Sequence, residues 1–498
     1  MRTAITFFLF TISVTISSQT TFQKVYGGNA QDDGVDVNPT ADGGIMIAGH
    51  TRSFGVGSYD FYLIKANSQG DTIWTRTYGR SNDGEWLKDA FQTQDGAYLL
   101  CGNAYPEGTG LIKVDQNGNI IWTQSYGFTE SSAIQTSDGG YLLCGHNNWT
   151  SADSVILIKL NSLGVVSWSK SYFVNGYSAS RGIKALEVAG NYLVEAKLYG
   201  SDVNLWVFKT NSTGGIIWSK VFAAAESLFI YDFAVAASGE ILVAGWMWNT
   251  SGNVVVWLVC LASNGTLNWA KEYVEGVSEQ KCWAMTTDIS GNIYLTGENF
   301  LLKLNSAGVP AFSKEYRIDS WFKDISIAAD GGILLGGDIE DVHTPSDSSS
   351  IFIIKTNNAG SSCSSTALTW TSTSLSLTVT TPTYSIGGFP VSYPYPVLVS
   401  SGCIPINDCP VGINENEHYV SASVYPNPFT TSATFTIPAE FADEKNFIYL
   451  TDVFGRIVYS ANVKGNSFQI DRGELPPGIY IYFIEAGDRV FTGKLLAE

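Results

Sequence analysis

Charge is scarce in this sequence, and positive charge is the scarcest. Only 15% of the 498 residues are charged, and 28 lysines and arginines stand against 46 aspartates and glutamates, which gives a formal net charge of −18 at pH 7. Proteins that bind nucleic acid need clustered basic side chains to contact the phosphates. The charge balance therefore argues against a nucleic-acid partner and is typical of an extracellular protein.

Long apolar runs are almost absent as well. The exception is the N-terminal stretch MRTAITFFLFTISVTISSQ, where Arg2 precedes an apolar segment and then small polar residues. This order predicts a secretory signal peptide over residues 1–18, cleaved just before Gln19. The alternative, a membrane anchor, would need a longer apolar run, and no later stretch is long enough. We expect an exported protein with no transmembrane span.

Recognised catalytic and metal-binding motifs are missing too. The chain has four histidines and contains no HExxH, no Cys/His set with metal-ligand spacing and no GxSxG. His50 and His146 occupy equivalent places in two repeats, and we interpret them as loop-edge residues that cap backbone groups. We expect no metal and no cofactor, and we lean away from an enzyme.

Cysteines are few, and two of the seven follow a repeat. Cys101 and Cys144 each stand in the sequence YLLCG, where other repeats have Ala48, Ala244 or Gly336. A position that accepts Cys, Ala or Gly is a small buried site, so these two are expected to be unpaired. One disulfide is expected, from Cys363 to Cys403 or Cys409, whereas Cys260 and Cys282 stay unassigned.

What the sequence does have is a repeat. The stretch LIKLNSLGVVSW, Leu157–Trp168, is one of seven copies, and each copy is preceded by a turn of the DGG type that leads into an apolar strand. Their turn glycines are Gly70, Gly118, Gly164, Gly214, Gly265, Gly308 and Gly360. One period therefore holds four short strands, and four-stranded units repeated radially make a β-propeller.

The two ends of the repeat region complement each other. The seventh copy lacks its fourth strand, whereas FQKVYGG, Phe22–Gly28, aligns with the fourth-strand segments WTRTYGR and WTQSYGF. This predicts an all-β fold with a seven-bladed propeller over residues 19–362, closed by the N-terminal strand. A solenoid of the same repeats is the alternative, but it leaves the complementary half-repeats unexplained.

The glycine-to-tryptophan spacing, which recurs in every copy but the last with Phe312 in place of Trp in the sixth, resembles the tryptophan-docking motif of quinoprotein dehydrogenases, which are also propellers. That resemblance would imply one cofactor site, but the spacing recurs, and the vicinal cysteine pair expected of those enzymes is absent. The aromatic residues are Trp74, Trp122, Trp168, Trp218, Trp269 and Phe312. Recurrence favours packing: we expect Trp168 to lie between blades, with Phe22 in the same place for the last blade.

A second module follows the propeller. Residues 363–416 are rich in Ser, Thr and Pro, and their alternation of apolar and hydroxyl residues predicts an extended linker that packs on something. Residues 417–498 alternate short strands with turn signals, which predicts a small β-sandwich. Its motifs are YPNPF, LTDVFGRIV, LPPGIYIYFI and GKLLAE.

These motifs resemble the type A C-terminal sorting domain of the type IX secretion system. The matching residues are Tyr425, Pro426, Asn427, Pro428, Asp452, Gly455, Arg456, Gly478, Tyr480, Gly493 and Lys494. The resemblance implies a secreted propeller protein of Gram-negative bacteria whose partner is the type IX machinery. It further implies that the domain is removed after export, with the cargo released or attached to surface lipopolysaccharide.

A carboxylate pattern is the first candidate site. The first strand of four blades carries Asp36, Asp89, Asp232 or Asp324 six residues before the turn, where the others have Ser132, Ile183 and Ala284. The functional interpretation is a cation or catalytic cluster, with Asp36, Asp89 and Asp324 as weak metal candidates in neighbouring blades. The structural interpretation, which we favour, is that each carboxylate accepts hydrogen bonds from its own blade's loop.

The second candidate site lies on the loops. Turns between strands one and two and between strands three and four are short and uniform, so the long variable loops gather on the opposite face. They carry Tyr105, Trp149, Trp246 and Trp248, which suit stacking on sugar rings or anchoring a protein partner. We expect non-catalytic binding of a glycan or protein at the cell surface or in the medium. A secreted polysaccharide-acting enzyme and a structural adhesin are the alternatives.

Overall fold

The chain forms two compact units, Met1–Val411 and Gly412–Glu498, in the computed structural model. The structure describes residues 19–80, 84–104, 108–147, 153–275, 280–316, 319–340, 349–387, 398–400, 406–407, 423–437, 446–452, 457–473, 475–486 and 489–497. Within these residues every regular element is a strand and none is a helix. The all-β prediction is confirmed.

Twenty-eight strands make up the main body of the first unit. In chain order they are β1 (Phe22–Tyr26), β2 (Asp32–Pro39), β3 (Ile45–Thr51), β4 (Asp60–Ala66), β5 (Thr72–Gly79), β6 (Glu85–Gln92), β7 (Tyr98–Ala104), β8 (Gly108–Val114), β9 (Ile120–Tyr126), β10 (Thr129–Gln135), β11 (Tyr141–His146), β12 (Val155–Leu160), β13 (Val166–Val174), β14 (Ala179–Val188), β15 (Asn191–Tyr199), β16 (Val203–Thr210), β17 (Ile216–Ala223), β18 (Phe229–Val235), β19 (Ile241–Trp248), β20 (Val254–Leu261), β21 (Leu267–Glu275), β22 (Cys282–Thr287), β23 (Ile293–Gly297), β24 (Phe300–Leu304), β25 (Pro310–Glu315), β26 (Ser320–Ile327), β27 (Ile333–Glu340) and β28 (Ser349–Thr356).

These strands form antiparallel sheets of four, each in chain order. Sheets 1 to 6 are β2–β5, β6–β9, β10–β13, β14–β17, β18–β21 and β22–β25, and sheet 7 joins β26, β27 and β28 to the N-terminal strand β1. The first strands are neighbours: β2 contacts β6, the series continues through β10, β14, β18 and β22 to β26, and β26 contacts β2. This arrangement is consistent with a β-propeller.

The strand sequences follow from where each strand lies in its sheet. Third strands such as β12, VILIKL, are buried along their whole length, so they read as continuous apolar runs. Most third strands carry a lysine near their C-terminal end, and in sheets 1 and 2 this lysine pairs with an aspartate of the DGG-type turn in the same sheet. In sheet 1 Lys65 contacts Asp42 at 3.0 Å, and in sheet 2 Lys113 contacts Asp95 at 2.6 Å. In each of these two sheets one ion pair therefore joins the third strand to the DGG-type turn.

The repeated aromatic ring packs on the turn glycine of the next sheet. A Cβ on Gly164 would lie 3.1 Å from Trp122, and one on Gly214 would lie 3.1 Å from Trp168. The indole of Trp168 also donates a hydrogen bond to the carbonyl of Ser212, at 3.1 Å. Phe22 stands in the same relation to Gly70. The packing role predicted for Trp168 and Phe22 is confirmed.

A tyrosine four residues after that ring adds a hydrogen bond to the same turn. Tyr126 donates from its hydroxyl to the carbonyl of Gly164 at 2.8 Å, across the junction of sheets 2 and 3. The equivalent donors are Tyr26, Tyr78, Tyr172, Tyr273 and Tyr316. Sheet 4 has Phe222 at this place. The junction therefore combines a packed ring with one buried, directional bond.

We expect Tyr126→Phe to lower the free energy of unfolding by about 1–2 kcal/mol, because the carbonyl of Gly164 is left buried without its donor. Equilibrium urea unfolding followed by tryptophan fluorescence measures this. Phe222→Tyr is the matched control, since it adds the hydroxyl to the junction that lacks it and should leave stability equal or raise it. Equal stability of Tyr126→Phe and the parent would show that the ring alone holds the junction.

The linker predicted after Cys363 forms a belt around the first unit, defined here as residues 366–407. Its strands are β29 (Thr366–Ala367), β30 (Trp370–Ser374), β31 (Thr378–Thr380), β32 (Tyr384–Gly387), β33 (Leu398–Ser400) and β34 (Ile406–Asn407). They pair in turn with the outermost strands of sheets 6, 5, 4, 3, 1 and 7. The belt thus adds a fifth strand to each of these sheets and covers edges that would otherwise be open.

The cysteines divide as the sequence predicts where the structure describes them. Cys101, Cys144, Cys260 and Cys282 are buried and form no disulfide. Cys363, at the start of the belt, is disulfide-bonded. Cys403 and Cys409 lie outside the described residues.

The second unit has two antiparallel sheets around one core. Its strands are β35 (Ser423–Tyr425), β36 (Ser432–Thr436), β37 (Asn446–Asp452), β38 (Ile457–Val463), β39 (Ser467–Asp471), β40 (Gly478–Ala486) and β41 (Arg489–Ala497). The sheet orders are β35-β36-β39 and β38-β37-β40-β41. Phe435 and Ile470 of the first sheet share a buried core with Leu450 and Ile484 of the second, which is a small sandwich.

Candidate functional site

A cavity of about 550 Å³ lies where the first strands of the sheets come together. In the first strands the pairing register shifts at equivalent points, for example between Gly34 and Asp36 and between Leu87 and Asp89. Each shift is a β-bulge, which turns two consecutive side chains toward the same side. The single bulged residues are Val35, Lys88, Ile183, Tyr231, Trp283 and Lys323, and all six line the cavity.

The structure brings all four of the predicted aspartates to this cavity: Asp36, Asp89, Asp232 and Asp324 line it directly after their bulged neighbours. Asp324 accepts a hydrogen bond from the backbone N–H of Val37 at 2.8 Å, and Asp232 accepts one from Met285 at 2.9 Å. Both donors belong to the next sheet. The favoured expectation, a bond to each aspartate's own loop, is wrong, because each carboxylate reaches the first strand of the next sheet, as Asp89 does with the N–H of Ala133 at 2.9 Å.

Burial raises the pKa of three of these carboxyls, those of Asp36, Asp89 and Asp324. Burial, followed by repulsion from Asp89 and Asp324, raises the pKa of Asp36 well above its ordinary value. Burial also raises the pKa of Asp89 and of Asp324 to about 6, against the lowering effect of the hydrogen bonds that they accept. Oδ2 of Asp36 and Oγ of Ser132 are buried and have no hydrogen-bond partner in the described part of the chain.

Lys184 is one of the site residues that sequence reasoning missed. The register places Lys184, and not Ile183, at the position equivalent to the aspartates. The turn at Ala189–Gly190 of sheet 4 is shorter than the DGG-type turns of the other sheets. Counting six residues back from Ala189 therefore passes Lys184 and ends one residue too far, at Ile183. Lys184 Nζ lies 2.7 Å from Oδ1 of Asp232. Burial alone would lower the pKa of Lys184, but Asp232, and then Asp89 and Asp324, raise it above its ordinary value.

Basic and aromatic side chains surround the carboxyls. Arg181 lies 5.0 Å from the ring centroid of Tyr199, and Lys197 lies 5.1 Å from that of Tyr231. With Lys88, Lys184 and Lys323, five of the 28 basic residues of the chain line this one cavity. They belong mostly to the first halves of the first strands, next to the long variable loops. The predicted aspartates thus lie in a cavity that is rich in positive charge.

The two predicted loop aromatics that the structure describes, Trp246 and Trp248, lie outside the cavity. Trp246 is only 6% exposed and stacks on Phe229 with ring centroids 3.9 Å apart, so its ring is a packing contact between β18 and β19. Trp248 is 47% exposed and contacts Trp246 edge-on, at 5.0 Å. Neither residue lines the cavity. Tyr105 and Trp149 lie outside the described residues.

The C-terminal motifs meet on one edge of the second unit. Asn427, between Pro426 and Pro428, donates from its amide to the carbonyl of Lys494 and accepts from the N–H of Leu496, both at 2.8 Å. The hydroxyl of Tyr480 donates to the carbonyl of Pro476 at 2.7 Å. Tyr425 is exposed, and Gly478 and Gly493 lie in β40 and β41. Gly455, Arg456 and the side chain of Asp452 lie outside the described residues. The first and last motifs therefore hold each other in place.

Family models match two parts of the chain, and the longer match is to "Secretion system C-terminal sorting domain" over residues 423–498. The chain ends in a type IX sorting domain. This domain sends the protein through type IX secretion to the cell surface or the medium. The second match, over residues 236–268, is to "Domain of unknown function (DUF5122) beta-propeller".

Comparison with solved structures finds distant likenesses. A protein of unknown function from Bacteroides caccae is 14% identical, with 59% of this chain and 92% of that chain covered and a TM-score of 0.33. A gluconolactonase from Xanthomonas campestris is 7% identical, with 58% and 90% covered and a TM-score of 0.35. PorZ of Porphyromonas gingivalis, a surface component of the type IX secretion system, is 8% identical, with 96% and 100% covered and a TM-score of 0.22.

Curated protein sequences give no significant match. Among the described residues, no helix has the length and hydrophobicity that crossing a bilayer requires.

One further carboxyl lies beside the cavity. Glu195 is paired with Lys184 in the ladder of sheet 4, at the place where other sheets have Ala48, Cys101 or Ala244. It is fully buried, and neither carboxyl oxygen has a hydrogen-bond partner in the described residues. Burial, followed by repulsion from Asp232, raises the pKa of Glu195 well above its ordinary value.

We expect Glu195→Ala to stabilise the protein by about 1 kcal/mol at neutral pH, because it removes a buried polar group without a partner. In the folded protein Glu195 stays protonated above the pKa that it has in the unfolded chain, so its contribution to stability falls as pH rises. The gain should therefore grow from about pH 5 to pH 8. Urea unfolding at several pH values measures this gain. Glu195→Gln is the control, because it removes the charge but leaves a polar group of the same size buried. A loss of stability at every pH would show that Glu195 has a partner.

Proposed function

We propose that this protein is an exported seven-bladed β-propeller whose axial cavity binds a ligand without chemical change. In this proposal the signal peptide spans residues 1–18, the propeller 19–362, the linker that forms the belt 363–416 and the sorting domain 417–498. Pairing of β1 with β28 supports closure of the ring, and the cyclic contacts of the first strands support seven blades. The sorting domain accounts for the protein's location and not for what it binds.

The observation that carries the binding role is the cavity itself. It has the volume of a small-ligand site, and a few polar groups converge in it beside aromatic walls. Two of its polar atoms, Oδ2 of Asp36 and Oγ of Ser132, lack hydrogen-bond partners in the described residues. Buried polar atoms are normally satisfied, so a ligand or water that completes these bonds fits the site.

The variable loops form the rim of the proposed site. Trp248 is the exposed aromatic that the structure describes there, and Trp246 packs against it. Tyr105 and Trp149 stay proposals for the same rim. A ligand that fills the cavity and extends outward would meet these loops, because they follow directly from the strands that line the cavity.

A second function, hydrolysis or lyase chemistry on a polysaccharide, has one observation in its favour. The pKa of Asp89 and of Asp324 is raised to about 6, which is the range in which a carboxyl can serve as a general acid. Each of these carboxyls is already hydrogen-bonded to a neighbouring backbone N–H, which suits a structural role better. We therefore rank the enzyme second.

A binding screen that also measures sugar release tests both functions. The exported chain is screened against glycans and surface polymers, with Tyr231→Ala and Trp283→Ala in the cavity and Trp248→Ala as the control on the rim. We expect the cavity variants to lose binding and Trp248→Ala to keep most of it. Binding that survives both cavity variants would overturn the proposal, and release of reducing ends that depends on Asp89 or Asp324 would favour the enzyme.

A further inference from the structure

We infer that the ligand of the axial cavity is an acidic saccharide, bound through its carboxylate or sulfate groups by the basic side chains of the cavity. This inference rests on the proposed function and names the chemical class of its ligand. Three features carry it: where the protein's few positive charges lie, which polar atoms lack partners, and which side chains form the walls.

The charge distribution points to an anion. The protein carries a formal net charge of −18, yet Lys88, Arg181, Lys184, Lys197 and Lys323 line one cavity. Lys88 is exposed and has no ion pair within the described part of the chain. Arg181 and Lys323 pair with Asp153 and Asp338, which do not line the cavity. Several cations that face one cavity raise the local concentration of an anionic ligand.

The carboxyls at the same cavity are already engaged by the protein. Asp232 pairs with Lys184 at 2.7 Å, and Asp89 and Asp324 each accept a hydrogen bond from a backbone N–H of the next sheet. Burial raises the pKa of Asp36 well above its ordinary value. A protonated carboxyl is also a hydrogen-bond donor. Protonated Asp36, with the hydroxyl of Ser132, can therefore donate to an anionic oxygen through atoms that have no partner in the described residues.

The walls favour a sugar over a simple anion. Tyr199, Tyr231 and Trp283 line the cavity, and cations already lie over the rings of the two tyrosines. An acidic saccharide presents apolar ring faces to such side chains and its negative groups to the bases. A volume of about 550 Å³ is in the ordinary range for a ligand of a few rings. An acidic peptide shares the charge but not the stacked ring faces.

The test compares ligands that differ only in charge. Trigalacturonate, a hyaluronan tetrasaccharide and an alginate trisaccharide are titrated into the full exported chain by calorimetry, each beside its methyl ester, with triglutamate as the peptide probe. We expect at least one oligosaccharide to bind about tenfold or more tightly than its ester, and Lys88→Ala and Lys197→Ala each to weaken binding by about tenfold. Lys281→Ala is the matched control, since Lys281 lies over Trp246, at 5.5 Å, but outside the cavity.

Failure of this inference is distinguishable from failure of the proposed function. If the esters or neutral glycans bind as well as the acids, and Tyr231→Ala abolishes that binding, the inference is wrong and the proposed function stands. Triglutamate binding more tightly than every saccharide also overturns it. If no ligand of any class binds, or if binding ignores every cavity variant, both fail. Thermal melting of each variant shows whether a loss of binding reflects misfolding.

Discussion

Lys184→Met is expected to lower the free energy of unfolding by about 2–3 kcal/mol at neutral pH and by far less near pH 5. Lys184 neutralises Asp232 directly, at 2.7 Å, and it also lowers the pKa of Asp89 and of Asp324. Removing it leaves the carboxyls of the cavity facing one another. The loss is below that of a fully buried pair because the Lys184 side chain is 33% exposed.

The pH dependence follows from the direction of the pKa shifts. Without Lys184 the pKa of Asp89 and of Asp324 in the folded protein rises further above that in the unfolded chain, so folding takes up protons. Stability then falls as pH rises through neutrality. Near pH 5 Asp89 and Asp324 are largely protonated in the folded protein, so the missing cation costs less there.

Urea unfolding at a series of pH values measures this effect. Lys184→Met in an Asp232→Asn background gives the coupling between the two residues, and Lys197→Met removes another cation of the cavity without breaking that pair. The same loss at every pH would contradict the electrostatic account and assign Lys184 a packing role.

Removal of the Cys363 disulfide is expected to have the second large effect. With Cys403 or Cys409 as the predicted partner, the bond closes a loop of roughly forty residues, for which chain entropy gives about 3–4 kcal/mol. Cys363→Ser should lower the melting temperature and expose the belt to proteases. A reducing agent should do the same to the parent, because Cys101, Cys144, Cys260 and Cys282 form no disulfide that it could break.

The same experiment assigns the partner. One of Cys403→Ser and Cys409→Ser should reproduce Cys363→Ser, and the other should melt like the parent. If all three variants melt and resist proteolysis like the parent, pairing of β29–β34 with the sheets is enough to hold the belt.

Much of the fold could be read from the repeat, because the same physical demand recurs in each sheet. The turn glycines need positive φ, as at Gly164 with 76°, and the ring before each junction must fill the same gap. Phe22 could be placed with its tryptophan counterparts for that reason. The tyrosine hydroxyl bond was visible in the sequence as a ring four residues further on, but its acceptor lies in the next sheet, which spacing within one repeat does not reveal.

The site was less predictable, because it depends on departures from the repeat. A β-bulge leaves no clear sequence signal, so nothing marked Lys88, Tyr231 or Trp283 as cavity residues. Lys184 was hidden by the shorter turn of its own sheet. Trp246 read as an exposed loop aromatic because it follows a strand, yet Phe229 on the neighbouring strand covers it.

The belt was the least predictable element, because its strands are held by backbone hydrogen bonds that place few demands on side chains. Ser- and Thr-rich composition is typical of linkers, and only the alternation of apolar residues indicated packing. Trp370 and Leu375 are the buried side chains that anchor it. Ser- and Thr-rich composition therefore predicts a linker even where the segment forms strands, because all of the hydrogen-bond partners of these strands lie in another part of the chain.

The length of the belt is also matched to the number of sheets in the first unit. The described strands of the belt pair with sheets 6, 5, 4, 3, 1 and 7 in turn, and the belt uses about seven residues, or roughly 23 Å of extended chain, for each step around the ring of sheets. A gene duplication that inserted one more repeat would leave the belt too short to reach the N-terminal strand. Deletion of one repeat would leave the belt with more residues than it needs. Repeat number and belt length must therefore change together in evolution, which makes the commonest route of growth for repeat proteins difficult for this one.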